Sequence, residues 1–184
     1  AKSKRRSPSE RELIWIKKWF WRASFSQHYG SGGATKIGRD KELFDILLAG
    51  DLPAFEHAMN ITPDMLIKTK MTWSRSAIRN AFLCLLAQRD PVHLVNNSPL
   101  DLVNGGISDF TNPEKHHVFP QAFLCDQGSC EMEVHSLPNF CFLPAELNKR
   151  ISHTGPSIYI PELKKENPNF GEAAKTHLLP ISED

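Results

Sequence analysis

His116-His117-Val118-Phe119-Pro120 and, further on, Pro138-Asn139-Phe140-Cys141-Phe142-Leu143-Pro144-Ala145-Glu146-Leu147-Asn148-Lys149-Arg150 decide the fold of this chain. Val118-Phe119 and Phe140 to Leu143 read as short extended runs. Pro144 then opens a helix, because a proline in the first turn gives up an N–H that has no partner there anyway. The order is strand, loop, strand, helix. Adjacent side chains on a strand point to opposite faces, so His116 and His117 do not face the same ligand set. One can face a metal ion while the other faces a substrate.

Upstream, the pattern is helical. Ser9 with Glu12 is a capping box that opens a helix reaching about Arg22. Its Leu13, Ile16, Trp19 and Phe20 recur at helical spacing and predict the buried face, widened by Trp15 and Trp21. Tyr29 to Lys36 is glycine-rich and reads as a flexible linker. It is no phosphate loop, because Thr35 precedes Lys36 instead of following it. Further helices are expected over 40–49, 53–59, 63–69 (Thr62 cap, Pro63 in the first turn) and 73–89. The last carries Ile78, Phe82, Leu85 and Leu86 on one face and stops before Asp90-Pro91. The composition shifts after Asn104-Gly105-Gly106. The expected fold is therefore mainly α with a small β-hairpin: a helical connector over 1–105 and a second domain over 106–184.

Composition excludes several classes. Lys+Arg number 22 and Asp+Glu 21 in 184 residues. Eight cations and two anions fall in residues 1–22, so the remainder is net acidic. This is not a uniformly basic, nucleic-acid-coating protein. The longest apolar run, Ala81 to Ala87, is far short of the ~20 residues that span a bilayer. No membrane partner is expected. With four cysteines and no signal-like segment, a reducing, cytoplasmic setting is expected. The opening on Ala1 reads as an internal portion of a longer protein.

Phosphodiester hydrolysis needs an activated water, an oriented base, and stabilisation of charge on the phosphorane and the leaving oxygen. A histidine, an amide to fix its ring, and a divalent ion on N/O ligands meet those needs with few residues. The set His116-His117, Asn139 and Asn148 offers such a combination. Cys125, Cys130, His135 and Cys141 make a poorer metal set, since His135 and Cys141 are not a compact pair. Cys141 reads instead as a small hydrophobe in an apolar run. No cysteine lies in a setting that favours a reactive thiolate, which disfavours a cysteine protease. The remaining His28, His57, His93, His153 and His177 have no ligand-like partners in sequence. Trp15, Trp19 and Trp21 read as core rather than as base-stacking platforms.

His116-His117-Val118-Phe119-Pro120, Asn139 and Asn148 together resemble the ββα-metal (HNH, His-Me finger) nuclease motif. The nine-residue step from Asn139 to Asn148 is similar to that of the HNH domain in the RNA-guided CRISPR nuclease. A closer similarity is to the C-terminal HNH domain of GmrSD-type modification-dependent restriction and phage-defence proteins. It rests on Asn139 to Leu143, Leu147 to Ser152, and Gly155-Pro156-Ser157-Ile158-Tyr159. It extends weakly to Trp19-Phe20-Trp21-Arg22, Tyr29 and His177-Leu178-Leu179-Pro180.

The resemblance implies a metal-dependent DNA endonuclease, nicking as a monomer, in an anti-phage or restriction system. His117 would be the general base and Asn139 would orient its imidazole. His116 and Asn148 would hold the metal, Mg²⁺ in the first place, with Mn²⁺, Ni²⁺ or Zn²⁺ usable in vitro. Lys115, Lys149 and Arg150 would contact DNA phosphates. It further implies a ParB-like NTPase and sensor domain as partner, whose Asp-Gly-Gln-Arg-type motif this sequence lacks. An Asn at the third HNH position is a departure that weakens metal binding. The alternative is a catalytically degenerate HNH fold that binds DNA or a partner.

Overall fold

A computed structural model describes residues 6–102, 114–128 and 131–180, without the side chains of 114, 131 and 132. It is mainly helical, with one two-stranded antiparallel sheet among the described residues. The chain divides into two compact units, 1–62 and 63–184. The expected boundary at 105/106 lies outside the described residues. The division instead falls after Thr62, and Leu94 shares a core with the strands.

In the first unit, α1 (Glu10–Phe25) starts at the capping box: Glu12 N–H donates to Ser9 Oγ at 3.4 Å, and Ser9 N–H to Glu12 Oε2 at 2.6 Å. Its buried face differs from the expected one. Leu13 is 44% exposed and Phe20 38%, whereas Trp15, Ala23 and Phe25 are buried. Trp15 and Trp19 set this face, because both meet Phe44 edge-on, at 5.4 and 4.9 Å between ring centres. Helix α2 (Gly33–Ala49) begins inside the expected linker and runs to Gly50, whose φ of 108° ends it.

The helix expected over 53–59 is not formed. Pro53, Phe55 and His57 turn inward while the residues between them are exposed. That is a period of two, the signature of extended chain. Trp15 Nε1–H donates to Pro53 O at 2.7 Å, and Phe55 packs on the Trp15 ring at 5.0 Å. These two contacts fix the segment without a helix.

In the second unit, α3 (Pro63–Lys68) forms where expected. Helix α4 (Ala77–Ala87) starts later than expected, at the Ser76 cap, whose Oγ accepts from Arg79 N–H at 3.2 Å. Its Ile78, Phe82 and Leu86 are buried as read, but Leu85 is exposed. Strand β1 (Glu114–His117) ends just before the Val118-Phe119 run. It is followed by α5 (Gln121–Asp126), α6 (Glu131–Val134), a 3₁₀ turn (Leu137–Asn139) and β2 (Phe140–Leu143). The register places His116 opposite Cys141 and His117 opposite Phe140. Helices α7 (Ala145–Ile151), α8 (Pro156–Glu166) and α9 (Phe170–Thr176) complete the unit.

One core joins these pieces. Cys141 and Leu143 of β2, Leu147 and Ile151 of α7, Tyr159 and Leu163 of α8, and Phe170 of α9 pack with Leu94 and Val118. Each fully buried Leu or Phe contributes about 1.5–3 kcal/mol. Cys141 belongs to this core as read, and burial pushes its thiol up to about 12. Gly155, between α7 and α8, is there for space: a Cβ would lie 2.6 Å from the Phe123 ring.

His177 ties the end of α9 to the segment before β1. Its Nε2–H donates to Val92 O at 2.7 Å, while Val92 N–H donates to Thr176 Oγ1 at 3.2 Å. The other ring nitrogen, Nδ1, is buried without a hydrogen-bond partner. Burial, reinforced by nearby His93 and opposed by the bond to Val92, holds His177 below the ordinary value of 6.5. The unfolded chain therefore binds the extra proton first, and stability contributed by neutral His177 falls as pH drops below 6.5. Urea unfolding at about pH 7.5 and about pH 5.5 should show wild type losing more stability on acidification than His177→Gln. At the higher pH the variant should be the weaker by about 1–2 kcal/mol. Equal acid losses would contradict this role.

Candidate functional site in the strand-strand-helix element

The chain bends immediately beyond His117. Four hydrogen bonds hold it. Val118 N–H donates to Asn139 O at 2.9 Å. Phe119 N–H donates to Asn139 Oδ1 at 2.7 Å, and Asn139 Nδ2 donates back to Phe119 O at 3.1 Å. The Tyr159 hydroxyl, buried in α8, donates to Val118 O at 2.8 Å. Asn139 Nδ2 also donates to Val134 O at 2.9 Å, which closes the excursion through α5 and α6 onto the start of β2. An amide is suited to this task because it presents a donor and an acceptor on one rigid plane, matching the backbone pair of a single residue.

The expected contact of Asn139 with the His117 ring is not among these bonds. Its amide bonds to the backbone of Phe119 and Val134, not to the imidazole of His117. It sets the position of His117 through the main chain.

His116 and His117 project to opposite faces, as the strand geometry requires. His116 is buried, and its Nδ1–H donates to Oδ1 of Asn148. The two residues expected to share a metal are therefore brought together from β1 and α7. Their atoms could serve a divalent ion: with the ring proton carried on Nε2, His116 Nδ1 and Asn148 Oδ1 would be two neutral N/O donors once the side chains part to admit it. Such a pair leaves most of the coordination shell to water and phosphate oxygens, which matches the preference of Mg²⁺.

His117 is half-buried beside Phe140, 4.3 Å between ring centres, and His135, 5.6 Å away. Its Nε2 is buried without a hydrogen-bond partner. Burial first, then the charges of His135 and His116, lower its pKa to about 4. The ring is neutral near pH 7 and keeps a free lone pair. A bound phosphodiester anion would raise this value toward the range in which a general base works best.

The expected phosphate contacts are less uniform. Lys149 is exposed on α7 and Lys115 is half-buried on β1. Arg150 is engaged in a two-pronged ion pair with Glu166 of α8. That pair is solvent-exposed and screened, so it fixes the geometry of Arg150 more than it stabilises the fold. Of the cysteine set, Cys130 lies outside the described residues and Cys125 is exposed.

Two features have no signal in the sequence. His135 and His117 meet only through the fold. In the first unit, His28 and His57 converge with Asp40 of α2, their ligand atoms within 4.8 Å of one another. Their spacing along the chain gives no sign of this. Among the described residues, no helix is long and apolar enough to cross a membrane.

No family model and no solved structure matches the chain. The chain is similar to an uncharacterised protein of Methanocaldococcus jannaschii, MJ0686, at 25% identity over 162 residues. The match covers 85% of this chain and 26% of that protein, so the chain spans about a quarter of this relative's length.

The clamp can be tested by itself. Asn139→Ala leaves the Phe119 N–H without its acceptor and should cost about 1–3 kcal/mol in urea unfolding. Tyr159→Phe, which removes one donor and keeps the ring, should cost about 1 kcal/mol. A neutral Asn139→Ala would show that the turn is held by something else.

Proposed function

We propose that this chain is a metal-dependent HNH-type DNA endonuclease that nicks one strand by phosphodiester hydrolysis. The observation that supports this reading most is the meeting of His116 Nδ1 and Asn148 Oδ1, with the adjacent His117 on the other face of the strand keeping an unbonded Nε2. The element order β1, β2, α7 carries these three residues in the sequence resembling the HNH motif.

In this reading, His117 takes a proton from the attacking water. Its neutrality near pH 7 follows from its burial. Asn139 and Tyr159 hold the turn beyond it, so the ring need not reorganise during the reaction. His116 and Asn148 hold the divalent ion, Mg²⁺ or a substitute such as Mn²⁺, which when bound supplies positive charge for the phosphorane and the leaving oxygen. Lys115 and Lys149 contact the DNA backbone, and Arg150 does so if it leaves Glu166. A ParB-like sensor and NTPase domain is the proposed partner within a longer defence protein acting in the cytoplasm.

One observation favours the rival reading, a degenerate HNH fold that binds without cutting. Asn139 makes no bond to His117, and the ring is packed against Phe140 and His135. Supercoiled plasmid separates the two. Wild type with Mg²⁺ or Mn²⁺ should convert it to open circles, and His117→Ala should slow this by about 100-fold or more. Asn148→Ala should be rescued in part by higher metal concentration. Equal conversion by wild type and His117→Ala would overturn the assignment. Salt-sensitive DNA binding with no conversion by either would support the binding module.

A further inference from the structure

We propose that His28, Asp40 and His57 form a second, independent site in the first unit that binds one divalent transition metal ion of the zinc class. The inference does not rest on the nuclease reading. It starts from a local inconsistency. Nε2 of His28 and Nε2 of His57 are both buried with no hydrogen-bond partner, although a carboxylate lies beside them. His28 Nε2 is 3.1 Å from Asp40 Oδ2, and His57 Nε2 is 3.9 Å from Asp40 Oδ1. The first distance suits a hydrogen bond, but its direction does not. The ligand atoms of two imidazoles and a carboxylate therefore lie within 4.8 Å of one another, and neither Nε2 makes a hydrogen bond.

The surroundings set the tautomer and orientation that a metal ligand requires. His57 Nδ1–H donates to Glu56 O at 3.1 Å, which leaves the lone pair on Nε2, on the side of Asp40. This is the outer contact by which metal-bound histidines are usually held. The Tyr29 hydroxyl donates to Asp40 Oδ2 and orients the carboxylate. Lys36 Nζ donates to His28 O at 2.6 Å and pins the turn carrying His28. His57 is only 9% exposed and Asp40 4%, so a cation here would offset the burial of a carboxylate whose hydrogen bond comes from Tyr29.

The donor set selects the ion. Two imidazoles and one carboxylate suit Zn²⁺ and its neighbours, and are too few and too nitrogen-rich for Ca²⁺. Ligand bonds of about 2.0–2.1 Å place tetrahedral ligand atoms about 3.4 Å apart. Small side-chain rotations reach that from separations already within 4.8 Å. Three protein ligands leave the fourth position to water.

The full 184-residue protein, stripped with chelator and titrated with Co²⁺, tests this. Wild type should take up Co²⁺ at this site with the intense visible absorption of four-coordinate cobalt, discharged by Zn²⁺. The bands should persist in the His116→Ala/Asn148→Ala double variant, which removes only the proposed nuclease ligands. They should vanish in His57→Gln, and Tyr29→Phe should weaken binding about 10-fold through the lost outer contact. Because His57→Gln removes a buried side chain, histidine-detected NMR of wild type gives a readout that needs no variant: Zn²⁺ should shift Nε2 of His28 and His57 together. The proposal is overturned if wild type shows no such bands and no such shifts. It is also overturned if the bands disappear with His116→Ala/Asn148→Ala and survive His57→Gln. Either outcome leaves plasmid nicking, and hence the nuclease reading, to be judged separately.

Discussion

The amide of Asn139 is the contact on which the second unit depends. Strands β1 and β2 are four residues each and are separated by an excursion containing two short helices. A two-stranded sheet of that length is not stable alone in water. The Asn139 amide closes the excursion by bonding Phe119 at its start and Val134 near its end. Tyr159 adds a bond to Val118 from α8, so the turn after His117 is held from both the strand side and the helix side.

Everything proposed for the site follows from that closure. The register it fixes sets His116 against Cys141, whose side of the sheet is the core, and so aims His116 at Asn148 of α7. A slip of one residue would exchange the faces of His116 and His117. His117 would then enter the core and His116 would lose Asn148. The buried apolar frame of Leu143, Leu147, Tyr159 and Phe170 holds the strands and α7 at the spacing the His116–Asn148 contact requires.

How much was legible in the sequence depended on how local the cause was. The Ser9 capping box, α3 behind Pro63, β2, and α7 behind Pro144 are legible because short-range chemistry decides them. Strand β1 lies before the expected Val118-Phe119 run, because Glu-Lys-His-His is a poor strand former and pairing with β2 creates the strand. The 53–59 segment read as a helix because Pro53 suits a first turn. The inward alternation of Pro53, Phe55 and His57 and the pull of Trp15 override that preference. On α1 the buried face follows from where Phe44 lies, which no pattern within the helix contains. The same holds for function. The convergence of His116 and Asn148 was anticipated only through a family resemblance, and the Asn139 contacts proved to be to the main chain. His28, Asp40 and His57 come from a turn, a helix and an extended segment, so only the fold brings them together.

The central claim is that β1 and α7 present one metal-binding point at His116 and Asn148. It is tested most directly by titrating Mn²⁺ into ¹⁵N-labelled His57→Gln protein, in which the proposed site of the first unit is silenced. Paramagnetic broadening should appear first at the amides of 115–117 and 147–149, and at the Asn148 side-chain amide. Broadening that spares these signals while striking others first, or none at concentrations that support catalysis by related chemistry, would contradict the account.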